Sequence, residues 1–316
     1  MNTTTEKYWE IYHSDDDLKR SAALCTAYRL PSTGLNLHID AYEQSDPNAP
    51  VLIFNHGGGG YSRLFIPLAL ALYDKGYTVI LPDQRGQGLS EGGRGDYTIA
   101  QVTENVVDAA NWARKKYAGP LFMAGASLGG ALTYYAAAAG APVEAIVCHN
   151  LYDFGVPKNT LAASRMSKLR HIPGIPALFG AIVKGGAALF PKLRLHRQLV
   201  SRFDKMVDPR AIGFYEKYVT DPIPVKSFPL SNLTSTFRTP PAIPMEKNRI
   251  PVLVINQSRD EMVTPQATLE NYERLGGEKE YVEIDTGHWM IGNRFEENWA
   301  ALVDRFFKSK MVASAK

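Results

Sequence analysis

Short continuous apolar runs alternate along this chain with stretches whose apolar positions recur every three or four residues. Val51 to Phe54, Tyr77 to Leu81, Leu121 to Ala126, Val143 to Cys148 and Ile250 to Ile255 have the pattern of strands buried on both faces. Between them, Leu64 to Lys75 reads as a helix closed by Gly76. Ile99, Val102, Val106, Ala109 and Ala113 keep helical spacing behind Thr98 and Gln101, which have capping-box spacing. Ser127 to Gly140, about Pro265 to Leu275 and about Glu296 to Phe307 read as further helices, and Glu280 to Ile284 as a last strand. Strand and helix alternating in this way predict a parallel sheet with helices on both faces. The start of the chain differs. Leu24 to Leu30 and Leu35 to Tyr42 read as two strands around Pro31-Ser32-Thr33-Gly34. In the second, Leu35, Leu37 and Ile39 face one way and Asn36, His38 and Asp40 the other, the alternation of an antiparallel edge hairpin.

The rhythm breaks at Phe154 and returns after Lys247. Residues 154–247 carry clustered prolines, helical pieces and no strand alternation, with 15 Lys/Arg against 5 Asp/Glu. Ile172 to Leu193 is apolar but broken by Pro173, Pro176, Lys184 and Pro191. The simplest organisation is one α/β core made of residues 1–153 and 248–316, interrupted by an inserted, mainly helical segment at 154–247. Ser309 to Lys316 reads as a frayed tail. A chain of 316 residues that is 45% hydrophobic can bury a large core. A net charge of +3 gives no argument for nucleic acid. Two cysteines make no disulfide framework. Met1 to Arg20 has no apolar signal region, and no uncharged apolar run reaches about 18 residues. A soluble, cytoplasmic protein is the expectation.

Candidate chemistry gathers at residues 121–130, Leu-Phe-Met-Ala-Gly-Ala-Ser-Leu-Gly-Gly. This is G-x-S-x-G at the point where a buried strand should turn sharply into a helix. Side chains two positions before and after Ser127 would collide in so tight a turn, and glycine avoids this. The helix that follows aims its first amides at the serine. A Gly/Ser turn can also join strand to helix with no chemistry, so the partners decide. A serine hydroxyl needs a base beside it, and in open parallel sheets active groups lie beyond the carboxyl ends of strands. That criterion favours His288, in Asp285-Thr286-Gly287-His288-Trp289; His56 and His149 also follow strands and remain rivals. An acid must orient the base. Asp260, past the Ile250–Ile255 run, leads, and Asp153, past the Val143–Cys148 run, is its rival.

Four ordered stretches together resemble the α/β hydrolases of serine-hydrolase type, in the monoacylglycerol lipase, lysophospholipase and serine aminopeptidase group. They are His56-Gly57-Gly58-Gly59-Gly60, Asp83 to Ser90, Gly125-Ala126-Ser127-Leu128-Gly129, and Gly287-His288; Asp260, Val263 and Pro265 form a weaker fifth. The resemblance implies an α/β-hydrolase fold, with a mostly parallel central sheet, helices on both faces and a cap at 154–247. Ser127, Asp260 and His288 then stand in the chain order nucleophile, acid, base. It also implies an oxyanion hole formed by the backbone N–H groups of Gly58 and Leu128. Asp83 and Arg85 read as an ion pair pinning their loop. Scattered histidines, no C-x₂-C and an incomplete G-x-G at Gly86 to Gly88 predict neither a metal nor a dinucleotide cofactor.

The expected activity is hydrolysis of a small-molecule carboxylic ester, lipid-like or with a small acyl group, through an acyl-enzyme. Amide, peptide or C–C bond hydrolysis, acyl transfer and non-catalytic binding on the same scaffold are the alternatives. A basic cap argues against an aminopeptidase, which needs acidic groups to hold a substrate ammonium. The apolar part of the insertion either packs on itself or faces acyl chains and lipid, where its basic residues allow peripheral membrane contact. Tyr61 and Tyr152 are candidate walls of the substrate pocket.

Overall fold

The structure is a computed structural model and describes residues 8–208, 213–289 and 295–314. Residues 1–7 of the polar N-terminal stretch and the last two of the tail lie outside the described residues. A short 3-10 turn (Tyr8–Tyr12) leads into α1 (Asp15–Leu24), which Ser14 caps by accepting from the Asp17 amide. The strands and helices then follow as β1 (Cys25–Ser32), β2 (Leu35–Tyr42), β3 (Val51–Asn55), α2 (Ile66–Tyr73), β4 (Thr78–Pro82), α3 (Ile99–Lys116), β5 (Leu121–Ala126), α4 (Leu128–Ala138) and β6 (Ala145–His149). Next come α5 (Pro157–Ala162), α6 (Ile175–Leu189), β7 (Arg194–His196), α7 (Arg197–Val200), α8 (Phe214–Thr220), β8 (Ser227–Pro229) and α9 (Leu230–Ser235). The chain returns to the sheet with β9 (Val252–Gln257), α10 (Pro265–Arg274), β10 (Lys279–Ile284) and α11 (Phe295–Ser314).

Eight strands form one sheet in the order β1-β2-β4-β3-β5-β6-β9-β10. β1 pairs β2 and β2 pairs β4 antiparallel; every other neighbouring pair is parallel. The continuous apolar runs become the middle strands because both of their faces are covered. Val51 and Ile53 of β3 pack with α3 and α4, whereas Leu52 and Phe54 pack with α2 and α11. The capping box at Thr98 forms in both directions: the Gln101 amide donates to Thr98 Oγ1, and the Thr98 amide donates to Gln101 Oε1.

Three expectations change. The first concerns β2, whose polar positions do not all face water: His38 and Asp40 are buried, and Asp40 is fully so. Arg63, on the 3-10 turn Ser62–Phe65, covers that face and donates to both Asp40 oxygens, at 2.8 and 3.2 Å. His38 Nε2 lies 2.8 Å from Asp40 Oδ1. A period of two reports which residues share a face, and a paired ion can bury the polar face too. The second concerns Asp83 and Arg85, which do not pair with each other. Asp83 accepts from the Ser62 and Leu89 amides, each at 2.7 Å, while Arg85 reaches Thr33. The third concerns the C-terminal segment, where helix α11 runs on through Ser314. No glycine or proline breaks it, and the Lys310 ammonium reaches Glu278.

Between β6 and β9 the chain leaves the sheet and builds helices plus a two-stranded antiparallel ribbon, β7 with β8. Strands of three residues are too short to carry a period. The segment is fixed to the core at several points. The Val225 amide donates to the Gly59 carbonyl at 2.9 Å, and Asp221 accepts from the hydroxyls of Tyr12 and Tyr61, each at 2.8 Å.

Burial pushes the Asp40 pKa upward, but the hydrogen bonds and charges of His38 and Arg63 outweigh it and hold the carboxyl well below the usual range. The unfolded chain therefore binds this proton first, and the stability Asp40 contributes is lost as pH falls below about 4. Asp40→Asn strands the Arg63 charge and is expected to cost about 3–5 kcal/mol at pH 7. In urea unfolding at pH 7 and at pH 3, the variant should lose less stability between the two than the wild type.

Candidate active site

Ser127 sits between the end of β5 and the first residue of α4 with φ 56° and ψ −122°. A non-glycine residue rarely adopts this backbone. Its amide donates to the His149 carbonyl at 3.0 Å. The glycines around it answer to contacts with backbone. A Cβ on Gly125 would lie 2.3 Å from the Gly129 carbonyl oxygen, and one on Gly129 would lie 2.0 Å from the Asn55 carbonyl oxygen. The start of α4 therefore lies against the end of β3. The glycine loop after β3 approaches from the same direction. A Cβ on Gly57 would meet Ser127 Cβ at 3.2 Å, and one on Gly58 would meet the Leu128 side chain at 3.3 Å. The loop is held by its outer amides: Gly59 donates to Gln87 Oε1 at 2.7 Å, and Gly60 to the Gly57 carbonyl at 3.1 Å.

His288 and Asp260 come from the loops after β10 and β9. His288 Nδ1 lies 2.7 Å from Asp260 Oδ2, and both side chains are buried. The other Asp260 oxygen accepts from the Met262 and Val263 amides at 2.9 and 2.7 Å. Such a carboxylate is held as an acceptor, so the proton between the pair belongs on Nδ1 and the lone pair on Nε2. Asn150 adds a donor, its Nδ2 lying 3.1 Å from the same Oδ2 that faces the imidazole. The sequence reading missed Asn150. Its signal is conformational, because it is one of three non-glycine residues with positive φ among those described, at 58°.

The rival residues are engaged elsewhere. Asp153 pairs with Arg274 at 2.9 Å and accepts from the Gly155 amide at 2.8 Å. His149 is fully buried, stacks on Trp299 and accepts from its indole N–H. Burial, with a smaller push from the nearby His288, lowers its pKa to about 3, so it stays neutral. His56 is fully buried as well, with its pKa lowered by burial. Its Nε2 accepts from the Gln84 amide at 3.2 Å, leaving Nδ1 to donate to the Gly57 carbonyl at 2.9 Å.

Two cavities reach Ser127. The larger, of about 460 Å³, is bordered by Gly58, Leu128 and Tyr152 on the core side and by apolar side chains of the insertion such as Phe179 and Leu233. The smaller, of about 40 Å³, is bordered by His288, Trp289, Met206 and Phe65. Tyr152 lines the larger cavity. Tyr61 lines neither, because its ring is buried and its hydroxyl donates to Asp221. Among the described residues no cluster of His, Cys, Asp or Glu could hold a metal ion, and no helix is long and apolar enough to cross a membrane.

Residues 50–294 match the alpha/beta hydrolase fold family, and the chain belongs to it. It is 26% identical over 305 residues to the "uncharacterized 31.7 kDa protein in traX-finO intergenic region" of Escherichia coli, covering 93% of this chain and 99% of that protein. Among solved structures, the monoacylglycerol lipase of Paleococcus ferrophilus has a TM-score of 0.66 at 17% identity, covering 90% of this chain and 99% of that one. A soluble variant of the Saccharomyces cerevisiae monoglyceride lipase, in complex with a substrate analogue, has a TM-score of 0.68 at 15% identity, covering 90% and 96%. At these identities the structural likeness establishes the shared fold.

The backbone of residue 127 yields a test that needs no substrate. Glycine accepts the positive φ and alanine does not, so Ser127→Gly should be more stable than Ser127→Ala by about 1 kcal/mol in thermal unfolding. Equal stability of the two variants would contradict a strained turn.

Proposed function

We propose that this protein is a carboxylic-ester hydrolase that works through an acyl-enzyme on Ser127. One observation carries the reading: Ser127 and His288 border the same small pocket, while the far side of the imidazole is bonded to Asp260 at 2.7 Å. His288 Nε2 takes the Ser127 proton as Oγ attacks the ester carbonyl, and the imidazolium that forms is stabilised by Asp260. The backbone N–H groups of Gly58 and Leu128 receive the oxyanion; losing one such donor typically costs about 10²–10³ in rate. His288 then protonates the leaving alcohol, and water repeats both steps to release the acid.

The two cavities divide the substrate between them. The leaving oxygen must be near His288, which borders the small pocket, so the alcohol is small. The acyl group enters the larger cavity, whose apolar lining suits a hydrocarbon chain. The lipases among the structural neighbours support a lipid-like ester. Residues 154–247 act as a cap. Its helix α6 turns Phe179 and Val183 toward the large cavity and leaves Leu178 and Leu189 exposed, with Lys184 on the same helix. Residues 154–203 hold nine Lys/Arg and no Asp/Glu. Arg170 and Arg197 of these are buried and Lys158 and Arg165 are paired with Glu270 and Asp204, which leaves the exposed Lys168, Lys184 and Lys192 to attract an anionic lipid surface. Salt-sensitive co-sedimentation with anionic vesicles, and none with neutral ones, is the expected result.

Ser127→Ala and His288→Ala should each lower ester turnover at least about a thousand-fold, and the double variant should be little worse than either single one. A fluorophosphonate probe should label the wild type and not Ser127→Ala. Methyl or ethyl esters of medium-length acids should be cleaved with higher kcat/KM than acetates of medium-length alcohols. Turnover retained by Ser127→Ala would refute the acyl-enzyme; the reverse ester preference would refute the division of the cavities.

A further inference from the structure

The backbone on both sides of His288 is held by the insertion. The Trp289 amide donates to the Met206 carbonyl at 2.8 Å, and the Gly287 amide donates to Asp208 Oδ2 at 3.1 Å. The same carboxylate oxygen lies 2.9 Å from Arg259 Nη2. Arg259 precedes Asp260 in the chain, and its own amide donates to the Thr286 carbonyl at 3.1 Å. One buried carboxylate, 4% exposed, thus contacts the residue before the base and the residue before the acid. The approach is close. A Cβ on Gly287 would lie 3.0 Å from Asp208 Cβ and 3.1 Å from its Cα, so a glycine before His288 is what admits this segment.

We propose that Asp208 is a positioning residue through which the insertion sets the placement of His288 against Asp260. This rests on the reading of Ser127, Asp260 and His288 as the reacting set. An imidazole must be held within about 0.5 Å of its productive place to pass a proton efficiently. Asp208 supplies two constraints of different kinds, a hydrogen bond to the backbone beside the base and an ion pair to the side chain beside the acid. The Asp208 carboxylate is buried, where charge-assisted bonds are stronger and more directional, while the Arg259 guanidinium is 36% exposed and is shared with Asp285. The segment that encloses the acyl cavity therefore also holds the backbone beside the base, adding to the direct bonds of Ser258 and Arg259 to Ile284, Asp285 and Thr286 that join the loops after β9 and β10.

The test compares Asp208→Ala, Asp208→Asn and Gly287→Ala with Lys205→Ala as control. Lys205 makes a neighbouring, exposed pair with Glu261 at 2.9 Å and is not bonded to the base loop. Asp208→Ala should lower kcat for a short-chain ester about tenfold or more with KM little changed. Asp208→Asn keeps an acceptor for the Gly287 amide and should recover part of the loss. Gly287→Ala should resemble Asp208→Ala, and Lys205→Ala should match the wild type. NMR shifts of the His288 ring nitrogens should report a single Nδ1–H tautomer in the wild type and a mixture in Asp208→Ala. That readout needs no turnover. A wild type that cleaves no ester overturns the hydrolase reading, whereas an Asp208→Ala protein with wild-type kcat and an unmixed tautomer overturns this proposal, even if its thermal stability falls.

Discussion

The first turn of α4 lies in contact with two strand ends, and much of the site's geometry depends on that contact. The Asn55 carbonyl at the end of β3 leaves no room for a Cβ on Gly129, and the His149 carbonyl at the end of β6 leaves none on Gly130, where a Cβ would be 2.3 Å away. Because α4 is drawn down between these strands, the chain leaving β5 must turn within one residue. Ser127 takes that turn with a positive φ. The same descent brings Leu128 beside Gly58. A strained serine, adjacent backbone amides and a run of small residues are thus one packing solution.

Burial and hydrogen bonding then sort residues of the same type into different roles. Three histidines stand near the carboxyl ends of strands. In His56 and His149 removal from water favours the neutral form, outweighing at His56 the opposing pull of Asp83 and the Gly57 carbonyl. His288 instead faces a carboxylate that already accepts two backbone amides and an asparagine. The two aspartates divide in the same way. Asp153 is neutralised by Arg274, whereas Asp260 is held by neutral donors that leave its charge available to an imidazole. Neighbours one shell out set what each group can do.

Residues of the segment between β6 and β9 reach the core at several points. Asp221 takes the hydroxyls of Tyr12 and Tyr61, the backbone of Val225 meets the glycine loop, and Met206 and Asp208 meet the loop of His288. Around His288 the Gly287 and Trp289 amides are satisfied by that segment, whereas in the glycine loop the Gly59 and Gly60 amides bond within the core and the Gly59 carbonyl accepts the Val225 amide. The large cavity arises between the two parts, with its floor from the sheet side and its apolar wall from α6 and α9.

Periodicity was enough to read the strand–helix alternation, because a strand covered on both faces must be apolar at every position and a one-sided helix must repeat at 3.6 residues. The glycine spacing around Ser127 and before His288 was also legible, since a missing side chain in a fixed pattern marks a close approach. The chain by itself determined which segments form the buried strands and which residues lie past strand ends. Only tertiary structure decided that His288 meets Asp260, that Tyr61 turns to Asp221, that β2 buries an aspartate, and that Asn150 and Asp208 stand beside the site. Those are contacts between residues from about 20 to more than 100 positions apart, and no local period encodes the distance between two loops once the sheet has brought them together.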